Sequence, residues 1–348
     1  MQTILMVVLA ACSGGEAPPP PPPEPVAAPA PPAEPKYVQM FGALPAVPPP
    51  ADEAAKAKIT LGQALYYDAR LSKNQDISCN SCHQLDHYGV DGQPTSPGHK
   101  GQRGGRNSPT TLNASLHLAQ FWDGRAPDVE AQAKGPVTNP IEMAMKDDAA
   151  VDAMLRSIPG YEAMFQAAFP GDAAPVSFAN AALAIGAFER TLVTPGPFDA
   201  YMAGDVAALT EAQQKGLDTF VASGCSTCHT GPTVGGTMYQ KLGLVVPYET
   251  ADEGRMAVTK NEADKGFFKV PSLRNVAKTG PYFHDGSVPT LAEAITKMGK
   301  HQLGKDLTPD EVASIATFLE ALTGEVPASA AKPELPPSGP KTPKPDPS

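Results

Sequence analysis

Apolar residues recur at helical spacing in several stretches of the chain. Within the segment from Glu53 to Tyr67, Leu61 and Leu65 lie one turn apart and form a predicted core-facing pair. A second predicted helix has its apolar face at Phe178, Ala182, Ile185, Phe188 and Leu192. No stretch of the sequence has the persistent alternation of a half-buried strand, so the predicted fold class is mainly α.

Two capping signals mark the starts of further helices. Thr210 and Gln213 have the spacing of a capping box, and Thr308-Pro309-Asp310-Glu311 combines such a box with proline at the first helical position. The apolar residues that follow at helical spacing are Leu217, Phe220 and Val221 after the first box, and Val312, Ile315, Ala316 and Leu319 after the second.

The sequence contains an internal repeat. Pro109-Thr110-Thr111-Leu112-Asn113 is followed by Phe121-Trp122-Asp123-Gly124. In the same way, Pro271-Ser272-Leu273-Arg274-Asn275 is followed by Phe283-His284-Asp285-Gly286. Each copy has asparagine four residues after proline and ends at the same Asp-Gly pair, which indicates two domains of one design.

The predicted boundary between the two domains is Thr194-Pro195-Gly196-Pro197, which interrupts the helical pattern. The domains are then residues 51–194 and 195–326. Both flanking regions are rich in proline, and segments of this kind favour extended polyproline because they cannot bury a core. Residues 13–50 are predicted to form a stalk and residues 327–348 a disordered tail.

The first twelve residues have the pattern of an export signal. Ile4 to Ala11 is apolar but too short to span a bilayer. Leu9-Ala10-Ala11-Cys12 resembles a bacterial lipobox, in which the cysteine is acylated; an ordinary signal peptide is the alternative. Residues 1–12 therefore predict a periplasmic protein that contacts a membrane only through a lipid anchor at Cys12.

Four of the five cysteines lie in two copies of one motif. The first haem motif is Cys79-Asn80-Ser81-Cys82-His83, and the second is Cys225-Ser226-Thr227-Cys228-His229. This spacing is typical of covalent attachment of a c-type haem, with both thiols bonded to the porphyrin and the histidine bound to iron. A zinc half-site or a redox dithiol is the alternative for one copy, but only Cys12 remains to complete either. The sequence therefore predicts two fused cytochrome c-like domains, each with one covalent haem c.

The formal net charge of the chain is −10. The carboxylates of two haems would make it more negative still. Such a charge repels nucleic acid, so no nucleic-acid partner is expected.

Each haem iron can take a second protein ligand on the side opposite the histidine of its motif. This far-side ligand distinguishes the two irons, because a methionine sulfur raises the reduction potential and a histidine leaves it lower. In the second half Met238, Met256 and Met298 are candidates. Met298 lies downstream of the repeated segment, where a cytochrome c domain usually has its methionine. The alternative is that these methionines fill gaps in the core.

In the first half the candidate far-side ligand is His99. It lies on a loop with four glycines between Gly98 and Gly105, so it could bind iron and also leave it. His87 and His117 compete for this role, although His87 lies close to His83 in sequence. A surface-loop histidine is the alternative.

An iron that loses its far-side ligand and binds peroxide requires a group that moves protons during cleavage of the O–O bond. Glu142 lies after the first repeated segment among few other charges, and Gln132 could hydrogen-bond in the same pocket. Trp122, the single tryptophan, could relay electrons between haems. A solvated glutamate and a core tryptophan are the alternatives.

Several motifs together resemble the bacterial dihaem cytochrome c peroxidases over Leu61 to Leu322. Besides the first haem motif they are Leu65-Tyr66-Tyr67-Asp68, Arg106-Asn107-Ser108-Pro109-Thr110, Gln120-Phe121-Trp122-Asp123-Gly124-Arg125, Gly135-Pro136-Val137 and Pro281-Tyr282-Phe283-His284. The resemblance implies reduction of hydrogen peroxide to water with two electrons from a small periplasmic cytochrome c or cupredoxin. It also implies a homodimer.

The resemblance implies unequal roles for the two motifs. The first haem motif would hold the low-potential peroxidatic haem, and the second the high-potential haem that receives electrons. His99 matches the displaceable ligand, Glu142 the catalytic acid–base and Gln132 the supporting glutamine. Met298 matches the sixth ligand of the second iron, and Trp122 the residue between the haems.

A calcium site between the domains is also implied by the resemblance. Asn107 and the backbone carbonyls of Thr279 and Pro281 match its ligands, and such neutral oxygens suit a hard cation. Two other functions remain open from the sequence. One is the related dihaem enzyme that oxidises a partner's tryptophans and has tyrosine in place of Met298. The other is a pure electron carrier with two permanently six-coordinate irons.

Overall fold

The computed structural model describes residues 34–348, together with residues 3, 5 and 6. The predicted lipobox cysteine, Cys12, and residues 13–33 of the predicted stalk lie outside the described residues. Within the described part, no helix combines the length and the apolar character needed to cross a membrane.

Residues 34–348 form one compact unit, and most of its regular structure is α-helix, which confirms the predicted class. The helices of this part are α1 (Glu53–Tyr67), α2 (Cys79–Cys82), α3 (Val129–Thr138), α4 (Asp148–Ser157), α5 (Pro159–Ala168), α6 (Phe178–Glu189), α7 (Pro197–Met202), α8 (Glu211–Ser223), α9 (Met256–Thr259), α10 (Leu291–Leu303) and α11 (Pro309–Glu320). One small antiparallel sheet pairs β1 (Tyr239–Lys241) with β2 (Phe267–Lys269), so that Tyr239 lies opposite Lys269.

Polar caps fix where the long helices begin. The Asp52 carboxylate accepts a hydrogen bond from the Ala55 amide at 2.7 Å and starts α1. Both predicted capping boxes are formed, at Thr210 before α8 and at Thr308 before α11. The predicted second helix is shorter than its apolar pattern, because α6 ends at Glu189 and Leu192 is buried beyond it.

Apolar side chains of residues 34–348 gather into two clusters. The first is built on α1, α3, α4, α5 and α6, and the second on α7, α8, α10 and α11. Since both belong to one compact unit, the division into domains at residues 51–194 and 195–326 stays a prediction.

The repeated segments have the same local structure. Asn113 and Asn275 both adopt the left-handed backbone conformation, with φ of 62° and 61°. Both side-chain amides donate to the hydroxyl oxygen of Thr194, at 2.8 and 2.9 Å, and all three residues are fully buried. The two copies therefore meet at the residue where the sequence predicts the domain boundary.

The segment before α1 packs on the second cluster. Phe41, which lies within the predicted stalk, is 2% exposed and contacts the rings of Phe198 and Phe220. Ahead of it, the Lys36 ammonium pairs with Asp218 at 2.7 Å. The part of the predicted stalk that the structure describes is therefore anchored to the second half of the chain.

The proline-rich segment 327–348 lies along the first half, whereas the sequence predicts a disordered tail. Ala330 is 4% exposed within the first cluster, and its carbonyl accepts a hydrogen bond from the Tyr67 hydroxyl. The Gln63 amide donates to the carbonyls of Ser329 and Ala331, at 2.7 Å each. Side chains of α1 thus donate to carbonyls of a proline-rich segment, which has few backbone N–H groups of its own.

Removal of residues 327–348 should raise amide hydrogen exchange in α1. The reason is that the deletion uncovers the apolar surface under Ala330 and leaves Gln63 and Tyr67 without their acceptors. Helix α8, which packs in the other cluster, is the internal control and should exchange at its original rate. Equal exchange of α1 in both proteins would contradict the described packing.

Candidate haem sites

The second haem motif follows directly on the end of a helix. Helix α8 stops at Gly224, whose φ of 97° suits glycine, and a 3₁₀ turn then spans Cys225–Thr227. This turn brings both thiols and His229 to the wall of one cleft.

This cleft contains about 1780 Å³ of empty space, part of it open to solvent. Cys225, Cys228, His229 and Met298 all line it, the last from α10. Of the three candidate methionines in the described chain, Met238 and Met256 are not in its wall.

The chemistry of this donor set fits a haem iron. Burial lowers the pKa of His229 to about 4, so its imidazole is neutral, the form that binds a metal. Its Nδ1 lies 3.4 Å from the Val234 carbonyl, which leaves Nε2 as the nitrogen available to iron. Burial also raises the pKa of the Cys225 thiol to about 11.

The first haem motif forms the short helix α2. Ser78 and Ser81 close a capping box around it, with the Ser78 amide 3.0 Å from the Ser81 hydroxyl. The Tyr66 hydroxyl donates to the His83 carbonyl at 2.7 Å. Burial lowers the pKa of the His83 imidazole, and its Nδ1 is buried without a hydrogen-bond partner among the described residues. The His83 carbonyl is thus held by Tyr66, and a neutral imidazole lies beside two thiols. This arrangement also fits a haem.

His99 and Glu142 lie next to each other in the first half. The His99 amide donates to the Glu142 carbonyl at 2.7 Å, and the His99 side chain is 6% exposed. Glycine is required at position 98, because a Cβ there would overlap the carbonyl of Ile141. The loop that carries His99 is therefore held directly against the backbone of Glu142.

Burial raises the pKa of Cys82 to about 11, and the charges of Asp91 and Glu142 act in the same direction, so the Glu142 carboxyl lies near the first haem motif. Burial raises the pKa of Glu142 itself, while the Arg125 guanidinium and the Asn139 amide act in the opposite direction. Asn139 Nδ2 donates to Glu142 Oε1 at 2.8 Å. This carboxyl is thus partly desolvated and held in a fixed orientation.

The competing histidines lie elsewhere. His87 is exposed, and His117 lines the cleft of the second haem motif. Gln132 lies half-buried on α3, and its side chain makes no hydrogen bond within residues 34–348. The structure therefore brings His99 and Glu142 together but does not join Gln132 to them.

Trp122 lies where the two halves of the chain meet. Its indole Nε1 donates to the Asn107 carbonyl at 2.9 Å, and its own carbonyl accepts from the Lys269 amide at 2.8 Å. Asn107, Thr279 and Pro281, the residues of the implied calcium site, line the same cleft. Asn107 Nδ2 donates to the Gln93 carbonyl at 2.9 Å, so its amide oxygen is the atom left for a cation.

Comparison with known proteins identifies the family. A family profile described as di-haem cytochrome c peroxidase matches residues 56–207. The cytochrome c551 peroxidase of Nitrosomonas europaea is 49% identical over 82% of this chain and 85% of its own length. The chain belongs to the di-haem cytochrome c peroxidases. The cytochrome c551 peroxidase of Pseudomonas aeruginosa is also 49% identical, over 82% of this chain and 84% of its own length.

A solved structure of a MauG-like protein associated with microbial copper homeostasis superimposes with a TM-score of 0.72. It is 32% identical and covers 83% of this chain and 97% of its own. As a di-haem cytochrome c peroxidase the chain is an oxidoreductase, and the family implies two haem c groups. The two motifs are the residues that would hold them.

Sequence reasoning gave no role to two residues of these sites. Arg125 is the basic group that acts on Glu142, and its guanidinium stacks on the Phe121 ring at 3.4 Å from the centroid. The only sequence signal for Arg125 was its place in a family motif. Lys269 lines the cleft of the second motif, and nothing in the sequence distinguishes it from a surface lysine.

Proposed function

We propose that this di-haem cytochrome c peroxidase reduces hydrogen peroxide to water with two electrons from a small cytochrome c or a cupredoxin. The observation that carries the proposal is the contrast between the two motifs. A histidine on a loop and a partly desolvated carboxyl accompany the first motif, whereas Met298 faces the second. The first motif is therefore the site of peroxide chemistry.

Cys79, Cys82 and His83 hold the haem of the first half, and a bound haem supplies the iron that binds peroxide and exchanges electrons. His99 would be the residue that binds this iron and can leave it. Because the His99 loop is attached to the Glu142 backbone, movement of the histidine and placement of the carboxyl are coupled.

Glu142 moves the proton during cleavage of the O–O bond. Its carboxylate takes a proton from the near oxygen of peroxide and delivers it to the far oxygen, which leaves as water. Burial supports this role, because it brings the pKa of the carboxyl closer to neutral pH. Gln132 holds the peroxide by a hydrogen bond once its side chain turns towards the pocket.

Electrons arrive at the second half. Met298 would hold the iron of a haem bound there through its thioether, and a thioether ligand favours ferrous iron and a higher potential. Trp122 relays electrons towards the first half. Its indole donates to Asn107 and its main-chain carbonyl accepts from Lys269, and these contacts support that role because they tie the residue to both halves.

A calcium ion, a second copy of the chain and a lipid anchor complete the proposed enzyme. Asn107 Oδ1 and the carbonyls of Thr279 and Pro281 bind one calcium ion, which would brace the junction beside Trp122. The protein acts in the periplasm as a homodimer and is anchored by lipid at Cys12.

The test is peroxide-dependent oxidation of a reduced small cytochrome c, measured with fully oxidised and with half-reduced protein. Half-reduction should produce turnover together with a new high-spin ferric signal, because His99 has then left the iron. A half-reduced protein with neither turnover nor that signal would be an electron carrier, and the proposal would be wrong.

A further inference from the structure

Lys269 is a buried cation without an anion. Lys269 is the last residue of β2 and is only 7% exposed. It lies in the wall of the cleft that contains the second haem motif. Its Nζ lies 3.2 Å from His117 Nδ1, and no carboxylate of the described residues lies within 4 Å of it. Burial lowers the pKa of Lys269 to about 8. A buried charge of this kind is costly unless an opposite charge accompanies it.

His117 adds a buried N–H donor beside Lys269. Burial and the neighbouring Lys269 charge hold the pKa of His117 well below its usual range, so the ring is neutral. Since the Lys269 ammonium can only donate, His117 Nδ1 accepts and the ring proton lies on Nε2. That nitrogen is buried and has no hydrogen-bond partner among residues 34–348. An unsatisfied buried donor destabilises a protein.

The backbone holds both side chains in place. The Leu118 amide donates to the Gly236 carbonyl at 2.8 Å, and a Cβ at Gly236 would collide with the His117 ring. The Lys269 amide is fixed to the Trp122 carbonyl at 2.8 Å. Rigid elements beside Trp122 therefore present a lysine that has no counter-charge and a histidine N–H that has no acceptor among the described residues.

The missing partner has a defined chemistry. It is an anion with oxygen acceptors, and it enters a mostly apolar cleft that also contains the second haem motif and Met298. The propionate groups of a haem bound at Cys225 and Cys228 are carboxylates that enter with the porphyrin. A free anion from solution has the same acceptor chemistry but would have to enter separately.

We propose that Lys269 and His117 form the binding site for a propionate carboxylate of the haem held by the second haem motif. The Lys269 ammonium and the His117 Nε2–H donate to the propionate oxygens. The lysine charge then balances the carboxylate, so that the iron is not biased towards its ferric form. Lys269 and His117 are positioning residues that raise the potential of this haem, whether or not peroxide is the substrate.

The test is spectroelectrochemical titration of the holoprotein with Lys269→Met, in which both midpoint potentials are measured. Removal of the charge should favour ferric iron at the second motif on the order of tenfold, which is about 59 mV for a one-electron couple. The potential at the first motif should change less. His117→Phe should lower the second potential in the same direction, and the double variant should show less than the sum because the residues act as one unit.

Lys241→Met is the matched control, since Lys241 is an exposed lysine on the paired strand β1. If Lys269→Met fails to attach haem, Lys269→Gln, which keeps a donor but no charge, should show the same fall in potential. A second-haem potential equal to that of Lys241→Met would overturn the proposal. So would a wild-type potential that shifts and saturates with added acetate at constant ionic strength, because the anion would then come from solution.

Discussion

Replacement of Glu142 by glutamine should lower peroxide turnover by about 10²- to 10⁴-fold. Glutamine keeps the shape of the side chain and an oxygen for the Asn139 amide, which now donates to Glu142 Oε1 at 2.8 Å. It cannot take a proton from peroxide. The measurement is steady-state oxidation of a reduced cytochrome c by peroxide, with the spectra of both haems recorded on the same samples.

Glu162→Gln is the control, because Glu162 is exposed on α5, away from the first haem motif. It should turn over at the wild-type rate. The role of Glu142 would be refuted by a Glu142→Gln protein that has intact spectra and wild-type turnover. Loss of one haem spectrum would instead point to a structural role for the carboxyl.

Replacement of Arg274 by methionine should lower the free energy of unfolding by about 3–5 kcal/mol. The Arg274 guanidinium is 1% exposed and forms two hydrogen bonds with the Asp199 carboxylate, at 2.7 and 2.9 Å. It also donates to the Pro232 carbonyl at 2.6 Å. Methionine fills the space but leaves a buried carboxylate without its counter-charge, and it releases the loop that follows His229.

Urea unfolding of the holoprotein, followed by far-ultraviolet circular dichroism, measures this effect. Lys56→Met is the control, because Lys56 makes only an exposed contact of 3.9 Å with Glu53. An exposed pair of this kind contributes little, so the control should unfold at the wild-type urea concentration. Equal midpoints for the two variants would show that the Arg274 pair does not stabilise the fold.

Local features of this fold could be predicted from the sequence because their signals are local. The range Glu53–Tyr67 is α1 itself, and the capping boxes at Thr210 and Thr308 are formed. The repeat also placed Asn113 and Asn275 at equivalent positions. It could not predict that both side chains would bind Thr194, since that contact joins residues 81 positions apart.

The sequence also could not predict that each end of residues 34–348 packs on the opposite half, because these contacts too join residues far apart in sequence. Phe41 packs in the second cluster and Ala330 in the first, and neither segment has a periodic pattern that would mark it as packed. The Tyr67–Ala330 hydrogen bond spans 263 positions. Proline-rich composition predicts extended backbone, but it does not reveal whether other side chains supply donors to that backbone.

The candidate sites were predicted unevenly. Covalent attachment chemistry has a strict spacing, so both haem motifs could be recognised directly. Lys269 could not, because lysine is almost always exposed and its burial depends on how β2 packs against Trp122.

The path of the segment 327–348 has a practical consequence for handling the protein. It ends with the Ser348 carbonyl 3.4 Å from His99 Nε2 and 2.6 Å from Lys73 Nζ. An affinity tag or fluorescent fusion placed after Ser348 would therefore begin beside the proposed removable ligand of the peroxide-binding iron. Spectra recorded on such a fusion would report on the tag as well as on the enzyme, so they should be compared with spectra recorded after the tag has been cleaved off.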